Sequence, residues 1–528
     1  MTYQILVSDP VSAEGLQPLL NQDNIQVDYM NEFTNVTVQD VINRYDALIV
    51  RSQTTVTKEL LEAGTNLKVI GRAGVGVDNI DLEAATEQGI IVVNAPDGNT
   101  ISTAEHTFAM MMALARHIPQ AYQTLMNGKW DRKSFKGVEL HRKTLGIIGM
   151  GRIGSEVARR AKACRMTIIA YDPFLTEERA DKLGITKGSL EDIYATSDFI
   201  TVHTPLTKET KHMIDDNAFT KMKQGVRILN CARGGIIEEG ALLRAIESGI
   251  VAGAALDVFE KEPAMDHPLL DRPEVIATPH LGASTEEAQT LVAQDVSEEI
   301  IAILNGESFK NAVNMPTISS EVRRALQPYY LLGEKLGEMA IQLVTEAPMK
   351  VTVTYGGELS DFDTASLTRR IMKGLLSYHL GDKVNIVNTF HMAKTYNLTY
   401  SVEHATSSLG FKNLITVTIE TQQGKRSISG TMLAGYGPRI IKIDDYSIDM
   451  APEDHLLYIQ HNDIPGMIGL VGTTLGKHQV NIATMQVGRK QEGGEAIMML
   501  SIDSLFNQDA FRDLEQINHI HSVKEIRL

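Results

Sequence analysis

The chain of 528 residues carries 66 Asp and Glu against 50 Lys and Arg, a formal charge of −16, and at about 100 to 200 residues per domain its length predicts three or four domains. The acidic balance disfavours general nucleic-acid binding, which needs Lys and Arg against phosphate, and the apolar runs stop at strand length, short of the roughly 18 residues that suggest a membrane span. Two cysteines, Cys164 and Cys231, are too few for a disulfide framework or a cysteine-rich metal site, and the start MTYQILVSDP runs straight into a strand without a basic leader, so a cytoplasmic protein without a metal is expected.

The first segment alternates short β-branched runs with amphipathic stretches: strands are predicted at 4–7, 25–29, 47–50, 69–72 and 90–93, with helices at 13–20 and 81–88 among them. Parallel neighbours need a connection long enough to hold a helix, so this spacing implies βαβ units and a parallel sheet. One long helix is predicted from Thr100 to about Leu125, where Met110, Met111, Leu114 and Ile118 keep the helical spacing of core residues. A second α/β series has strands at 144–148, 167–171, 199–202, 227–230, 253–257 and 275–277, and a helix over 285–304 is set to return the chain to the first lobe. The expected class is therefore α/β, with two doubly wound parallel-sheet lobes and ligand in the crevice at their strand ends.

Past 311–316 the pattern changes to strands at 349–355, 384–388, 415–419 and 440–443 with helices at 326–344 and 367–377, an α+β unit without a phosphate loop. The last unit begins near Ala451 with a strand at 455–461, a helix at 467–477, strands at 484–488 and 495–503, a helix at 509–517 and a closing strand. That order is the split βαβ, ferredoxin-like arrangement.

The most informative string is Thr144-Leu-Gly-Ile-Ile-Gly149-Met-Gly151-Arg152-Ile153-Gly154, which follows a strand, opens a helix and is answered by Asp172 at the end of the next strand. Gly149 permits the tight turn, Gly151 lets backbone approach a pyrophosphate, and Gly154 lets helix and strand pack closely. The helix N-terminus then offers free N–H groups to the phosphates. This is a Rossmann-like dinucleotide site. Asp172 selects NAD over NADP, because a carboxylate accepts ribose hydroxyls and repels a 2′-phosphate, and no arginine directly follows in Asp172-Pro173-Phe174.

Three further strings are Asn230-Cys231-Ala232-Arg233-Gly-Gly, Asp257-Val-Phe-Glu260-Lys-Glu262-Pro and Thr278-Pro279-His280-Leu-Gly282-Ala283. With the glycine loop, with Arg51-Ser52 and with Arg72-Ala-Gly74-Val75-Gly76-Val77-Asp78-Asn, they resemble the D-isomer-specific 2-hydroxyacid dehydrogenases over about the first 310 residues. The two C-terminal units extend the resemblance to the long members of that family, which act on D-3-phosphoglycerate and carry an intervening domain and a C-terminal ACT domain. The resemblance implies a substrate-binding, flavodoxin-like lobe at 1–98 and 285–310, an NAD-binding lobe at 99–284, an intervening domain at 311–450 and an ACT domain at 451–528.

It also implies the site. Arg233 would bind the substrate carboxylate and C2 oxygen through directed, charge-assisted hydrogen bonds. His280 would exchange the C2 hydroxyl proton while the hydride passes to NAD, and Glu262 would hold its imidazole in the useful tautomer. Arg51 and Ser52 would take the phosphate of 3-phosphoglycerate, the backbone of Gly74, Val75 and Gly76 would receive its carboxylate, and Asn99 would lie near the substrate. Beside the glycine loop and Asp172, the cofactor residues would include Thr204, Cys231, Ala232, Arg233, Asp257, His280, Gly282 and Ala283, with Cys231 a packing residue and not a nucleophile, since no base partner is evident.

In the ACT-like unit, His461-Asn-Asp463-Ile-Pro465-Gly466 and Asn481 match positions that bind L-serine in serine-regulated relatives, although Asp463 stands where an asparagine is often found. The unit is thus read either as a serine sensor or as an oligomerisation domain, within an expected homo-oligomer, a tetramer by resemblance. Arg439 is either an anion ligand or a turn-stabilising residue. The resemblance implies NAD-dependent oxidation of D-3-phosphoglycerate at the entry of L-serine biosynthesis. A dehydrogenase for another D-2-hydroxy acid and an NAD-sensing, corepressor-like binding protein stay open beside it, because fold alone does not fix function.

Overall fold

The computed structural model describes residues 2–316, 318–503 and 508–528. The first lobe is a parallel sheet of β1 (Tyr3–Val7), β2 (Ile25–Tyr29), β3 (Ala47–Val50), β4 (Val69–Arg72) and β5 (Ile91–Asn94) in the order β2-β1-β3-β4-β5, the flavodoxin-like order. The central strand β3, Ala-Leu-Ile-Val, is an unbroken buried apolar run because helices cover both faces, whereas the edge strand β2 keeps Gln26 and Asp28. Ile5, Val7, Ala47, Ile49 and Val69 face one core, while Leu6, Leu48, Val50 and Ile70 face the other, the period of two expected of strands. The helix Glu286–Leu304 returns to this lobe and inserts Val292, Val296 and Ile300 into the first of those cores.

The second lobe holds β6 (Thr144–Ile148), β7 (Thr167–Tyr171), β8 (Thr186–Lys187), β9 (Phe199–Val202), β10 (Val226–Asn230), β11 (Val251–Leu256) and β12 (Val275–Ala277), all parallel. Their order, β12-β11-β10-β9-β6-β7-β8, reverses between β6 and β9, and that switch point is where doubly wound sheets open a ligand crevice.

The predicted helix from Thr100 to about Leu125 is two helices, Thr100–Arg116 and Ile118–Met126, parted at His117, whose φ is +52°. Pro119 has no N–H to offer the carbonyl of Ala115 four residues back. That carbonyl instead accepts from the Val138 N–H at 2.9 Å.

The third unit is a six-stranded sheet of β13 (Lys350–Gly357), β14 (Thr399–Ala405), β15 (Asn413–Thr421), β16 (Gly424–Leu433), β17 (Gly437–Ile443) and β18 (Tyr446–Met450), ordered β14-β13-β15-β16-β17-β18. The strand predicted at 384–388 does not form. Asn385 and Asn388 turn their side chains onto neighbouring backbone, Val387 N to Asn385 Oδ1 at 2.9 Å and Asn385 N to Asn388 Oδ1 at 2.8 Å, which folds the segment into a turn. Asn385 Nδ2 also donates to the Gly89 carbonyl, and Val387 is buried in the first-lobe core, so this turn fastens the third unit to the first.

The last sheet, β19 (His455–Asn462), β20 (Ile482–Arg489), β21 (Glu495–Ile502) and β22 (Ile520–Arg527), is antiparallel in the order β20-β21-β19-β22. Leu457, Ile459, Met498 and Leu500 face its own two helices, while Leu456, Tyr458, Ile497 and Met499 join the core of the third unit. Both faces are covered, and one core runs across the two C-terminal units. Among the described residues no helix is long and apolar enough to cross a membrane.

Candidate active site

The glycine loop lies where β6 meets β9. Gly149 has φ +98°, in the region that favours glycine, and a Cβ there would overlap the His203 carbonyl from the end of β9. A Cβ on Gly154 would overlap the Gly149 carbonyl, whereas the space over Gly151 is open. The helix Arg152–Ala163 starts with no side-chain cap, and its N-terminus borders a cleft of about 650 Å³ lined also by Asp97, Thr100, Ser155 and Arg179. Uncapped N–H groups, an open glycine and buried oxygens without partners on Asn99, Thr100 and Thr204 fit a dinucleotide diphosphate. Asp172 follows β7 and accepts from Met150 N and Phe174 N, each at 2.8 Å, which ties this carboxylate to the glycine loop.

Beyond the ends of β11 and β12, His280 Nδ1 lies 2.9 Å from Glu262 Oε2, and the other carboxylate oxygen accepts from Phe259 N. Burial works to raise the Glu262 carboxyl, but the His280 bond and charge and the Phe259 amide outweigh it and hold it below the usual carboxylate range. His280 has φ +56°, a conformation that costs a non-glycine residue about 1 to 3 kcal/mol and needs support. Asp257 supplies it. Buried to 1% exposure, its carboxylate accepts from Thr278 Oγ1 at 2.5 Å, Leu281 N at 2.7 Å and Gly282 N at 2.9 Å, and His106 Nε2 lies 3.2 Å away. Asp257, expected among the cofactor ligands, thereby also braces the loop that carries His280. Thr103 Oγ1 holds the same loop through the Gly282 carbonyl.

Asn230 shapes the other side: its Nδ2 donates to the Arg233 carbonyl and its Oδ1 accepts from Ala232 N. Arg233 donates Nε to Asp78 Oδ2 at 2.9 Å across the cleft and Nη1 to the Ala232 carbonyl at 2.7 Å. Its Nη2 rests against the Gly76 α-carbon, where a Cβ would overlap it, and has no hydrogen-bond partner among the described residues. The N–H groups of Val75, Gly76 and Val77 likewise have no acceptor there, so this loop and Arg233 form a cradle for a carboxylate.

Arg51 sits on a loop that the buried Asp9 organises, with Arg51 N to Asp9 Oδ2 at 2.7 Å and Gln53 N to the same oxygen at 3.0 Å. Between Arg51 and Arg233 stands Arg72, whose burial, with the charges of Arg233 and Arg51 adding to it, pushes its guanidinium down to about 10. Its Nε has no partner. Asp9, Arg72, His106 and Asn230 are parts of the site to which the sequence motifs assign no role. Arg72 was legible as a cation at a strand end and Asn230 acts on residues two and three positions on, whereas Asp9 and His106 emerge only from contacts distant in sequence. Cys231 is buried, and burial first, with the Asp257 charge second, pushes its thiol up to about 12, which leaves it unreactive.

The regulatory residues do not converge in one chain. His461 pairs in register with Ala496 at one end of β21, whereas Asn481 precedes β20 at the other end, where Ile482 pairs with Ile502. Six residues of strand separate those ends by roughly 20 Å. Asp463 pairs with Arg489, whose hydrogen bond holds its carboxyl below the usual range, and Asn481 donates to Asp503 at 2.6 Å. Arg439 grips Asp449 of the next strand through Nε at 2.6 Å, a hairpin contact. Among the described residues no group of three or more His, Cys, Asp or Glu is arranged to hold a metal ion.

Residues 108–282 match the model of the D-isomer specific 2-hydroxyacid dehydrogenase NAD binding domain, and residues 325–444 that of the D-3-phosphoglycerate dehydrogenase intervening domain. The chain is 47% identical to D-3-phosphoglycerate dehydrogenase of Bacillus subtilis over 100% of both chains. It is 45% identical to that of Methanocaldococcus jannaschii over 99% of this chain and 100% of the relative. Among solved structures, D-lactate dehydrogenase from Aquifex aeolicus complexed with NAD and lactic acid is 30% identical with a TM-score of 0.51, over 57% of this chain and 96% of that one. A glyoxylate reductase from Paecilomyes thermophila is 33% identical with a TM-score of 0.54, over 59% and 98%.

Proposed function

The chain belongs to the D-3-phosphoglycerate dehydrogenases, and on that premise we propose that its cleft oxidises D-3-phosphoglycerate to 3-phosphohydroxypyruvate with NAD, the reaction that opens the phosphorylated route to L-serine. The pairing of His280 Nδ1 with Glu262, together with an Arg233 whose Nη2 has no hydrogen-bond partner among the described residues, carries this proposal. With the Nδ1 proton committed to the Glu262 carboxylate, Nε2 of His280 keeps a lone pair and takes the proton of the C2 hydroxyl. Glu262 stabilises the imidazolium so formed. Arg233 Nη2 and the N–H groups of Val75 to Val77 bind the carboxylate and C2 oxygen and so orient the C2–H bond. Arg51, with Ser52 and the buried charge of Arg72 behind it, receives the phosphate. NAD, held by the glycine loop, Asp172 and Thr204, supplies the hydride acceptor.

In this reading residues 1–98 and 285–310 bind substrate, 99–284 bind NAD, and 311–450 and 451–528 are the intervening and ACT domains. A cytoplasmic homo-oligomer fits the exposed apolar strip of Ile118, Tyr122, Leu125, Met126 and Trp130. A serine site drawn from His461, Asp463 and Asn481 would have to combine two copies, given their separation in one. The test is NADH formation from NAD with D-3-phosphoglycerate, D-glycerate and D-lactate in parallel. Turnover is expected to favour the phosphorylated acid, and an NADH-binding protein that oxidises none of them would sink the proposal in favour of a sensor.

A further inference from the structure

Rossmann sites that take NADP carry an arginine near the end of the second strand to receive the 2′-phosphate. None follows Asp172 directly in the sequence, yet the fold delivers one. Arg179 lies in the helix Glu177–Leu183, whose start is fixed by Thr176 Oγ1 accepting from Arg179 N at 3.2 Å and by the buried Leu175 and Ala180. From there its side chain turns back to the glycine loop, where Nη2 donates to the Met150 carbonyl at 2.9 Å. The N–H of the same Met150 donates to Asp172 Oδ2 at 2.8 Å. One glycine-loop residue is thus held between the ribose-side carboxylate and a guanidinium.

The guanidinium is not neutralised by its neighbours. Glu178 pairs with Lys182 and Glu177 with Lys187, and among the described residues Arg179 has no carboxylate within ion-pair distance. Its bond to Met150 uses one donor of five, and the residue lines the same cleft of about 650 Å³ as Gly151 and Arg152. A cation with spare donors, tied to the same glycine-loop residue as the carboxylate that reads the ribose, is surplus to a site that binds only a 2′-hydroxyl.

We propose that Arg179 is the second determinant of cofactor choice: Asp172 alone bars a 2′-phosphate, and Arg179 is the built-in partner that accepts one when Asp172 is neutral. This rests on the NAD reading above. A phosphate of nearly two negative charges beside an ionised Asp172 meets repulsion that Arg179 only partly offsets. Once Asp172 is uncharged, the planar guanidinium can take two phosphate oxygens together.

Equilibrium dissociation constants for NADH and NADPH, measured without substrate, test this in the full chain with Asp172→Asn, Arg179→Gln and the double variant. Asp172→Asn should tighten NADPH relative to NADH by about tenfold or more, the scale of one charge-assisted hydrogen bond. Adding Arg179→Gln should cancel that gain while moving NADH by less than about threefold. Arg179→Met, which keeps the apolar stem, replaces Arg179→Gln should the latter not fold. A double variant that binds NADPH as well as Asp172→Asn, or an Arg179→Gln that weakens NADH and NADPH equally, overturns the inference. If the unsubstituted protein binds no NADH, the dinucleotide reading falls and this inference with it; the two failures are therefore distinguishable.

Discussion

Arg233, just past the end of β10 in the nucleotide lobe, donates its Nε to Asp78 of the substrate lobe at 2.9 Å. The bond crosses the cleft, turns Nη2 toward the substrate loop and offsets part of the charge of three clustered arginines. Asp78 is 66% exposed, so the pair contributes little to stability. Its value is orientation.

Asp78→Ala should therefore lower kcat/KM for D-3-phosphoglycerate by about tenfold, the scale of a misdirected hydrogen-bond donor, and leave the melting temperature essentially unchanged. Unaltered kcat/KM would mean that the Ala232 carbonyl suffices to aim the guanidinium.

His280→Ala should cost about 10² to 10⁴ in kcat while leaving the NADH dissociation constant near its original value. Glu262 adds a pH signature. Its carboxyl lies below the usual range in the folded protein, so its contribution to stability is complete above the unfolded value of roughly 4.3 and is lost as pH falls through the lower folded value. Activity should accordingly show no inflection from Glu262 above about pH 4. Glu262→Gln should lower kcat by about tenfold or more while leaving the NADH dissociation constant near its original value, because the imidazolium formed in the reaction loses its counter-charge. An unchanged kcat would detach Glu262 from the proton path.

His203 is half-buried beside the glycine loop, with Nε2 on Thr201 Oγ1 at 3.0 Å and a buried Nδ1 that has no partner among the described residues, and burial drops its imidazole to about 4. In the unfolded chain a histidine takes up its proton near 6.5. Between those values the unfolded state binds more protons, so stability falls as pH drops from 6.5 toward 4. In urea titrations, His203→Leu should flatten that slope relative to the unsubstituted chain. Equal slopes would mean that His203 is protonated in the folded state.

Arg51→Ala should raise KM for D-3-phosphoglycerate by at least tenfold and change KM for an unphosphorylated D-2-hydroxy acid by less than about threefold, if its partner is the phosphate. Equal losses on both substrates would assign Arg51 to the carboxylate end instead.

The elements that local pattern controls were legible in advance. β2, β3, β4, β6, β7, β9 and β12 lie where β-branched periodicity puts them, and the glycine turn, the strand-end Asp172 and the strings around Arg233, Glu262 and His280 announce a nucleotide-linked site. These signals depend on residues a few positions apart, where turn geometry and side-chain period act directly. The bracing of the 278–282 loop by Asp257 is different: three donors meet a buried carboxylate at a contact between strand ends that no local spacing encodes.

The same holds for the break at His117, the asparagine turn at 385–388, the separation of His461 from Asn481 and the reach of Arg179 back to Met150. Each is set by which distant backbone group or core is near enough to satisfy a carbonyl, bury a valine or receive a guanidinium. The sequence by itself determined the parallel lobes, the dinucleotide loop and the strings that carry Arg233, Glu262 and His280. Only the tertiary structure decided which charges face one another, because hydrogen bonds and burial act over ångströms of space and the chain brings together residues that lie hundreds of positions apart.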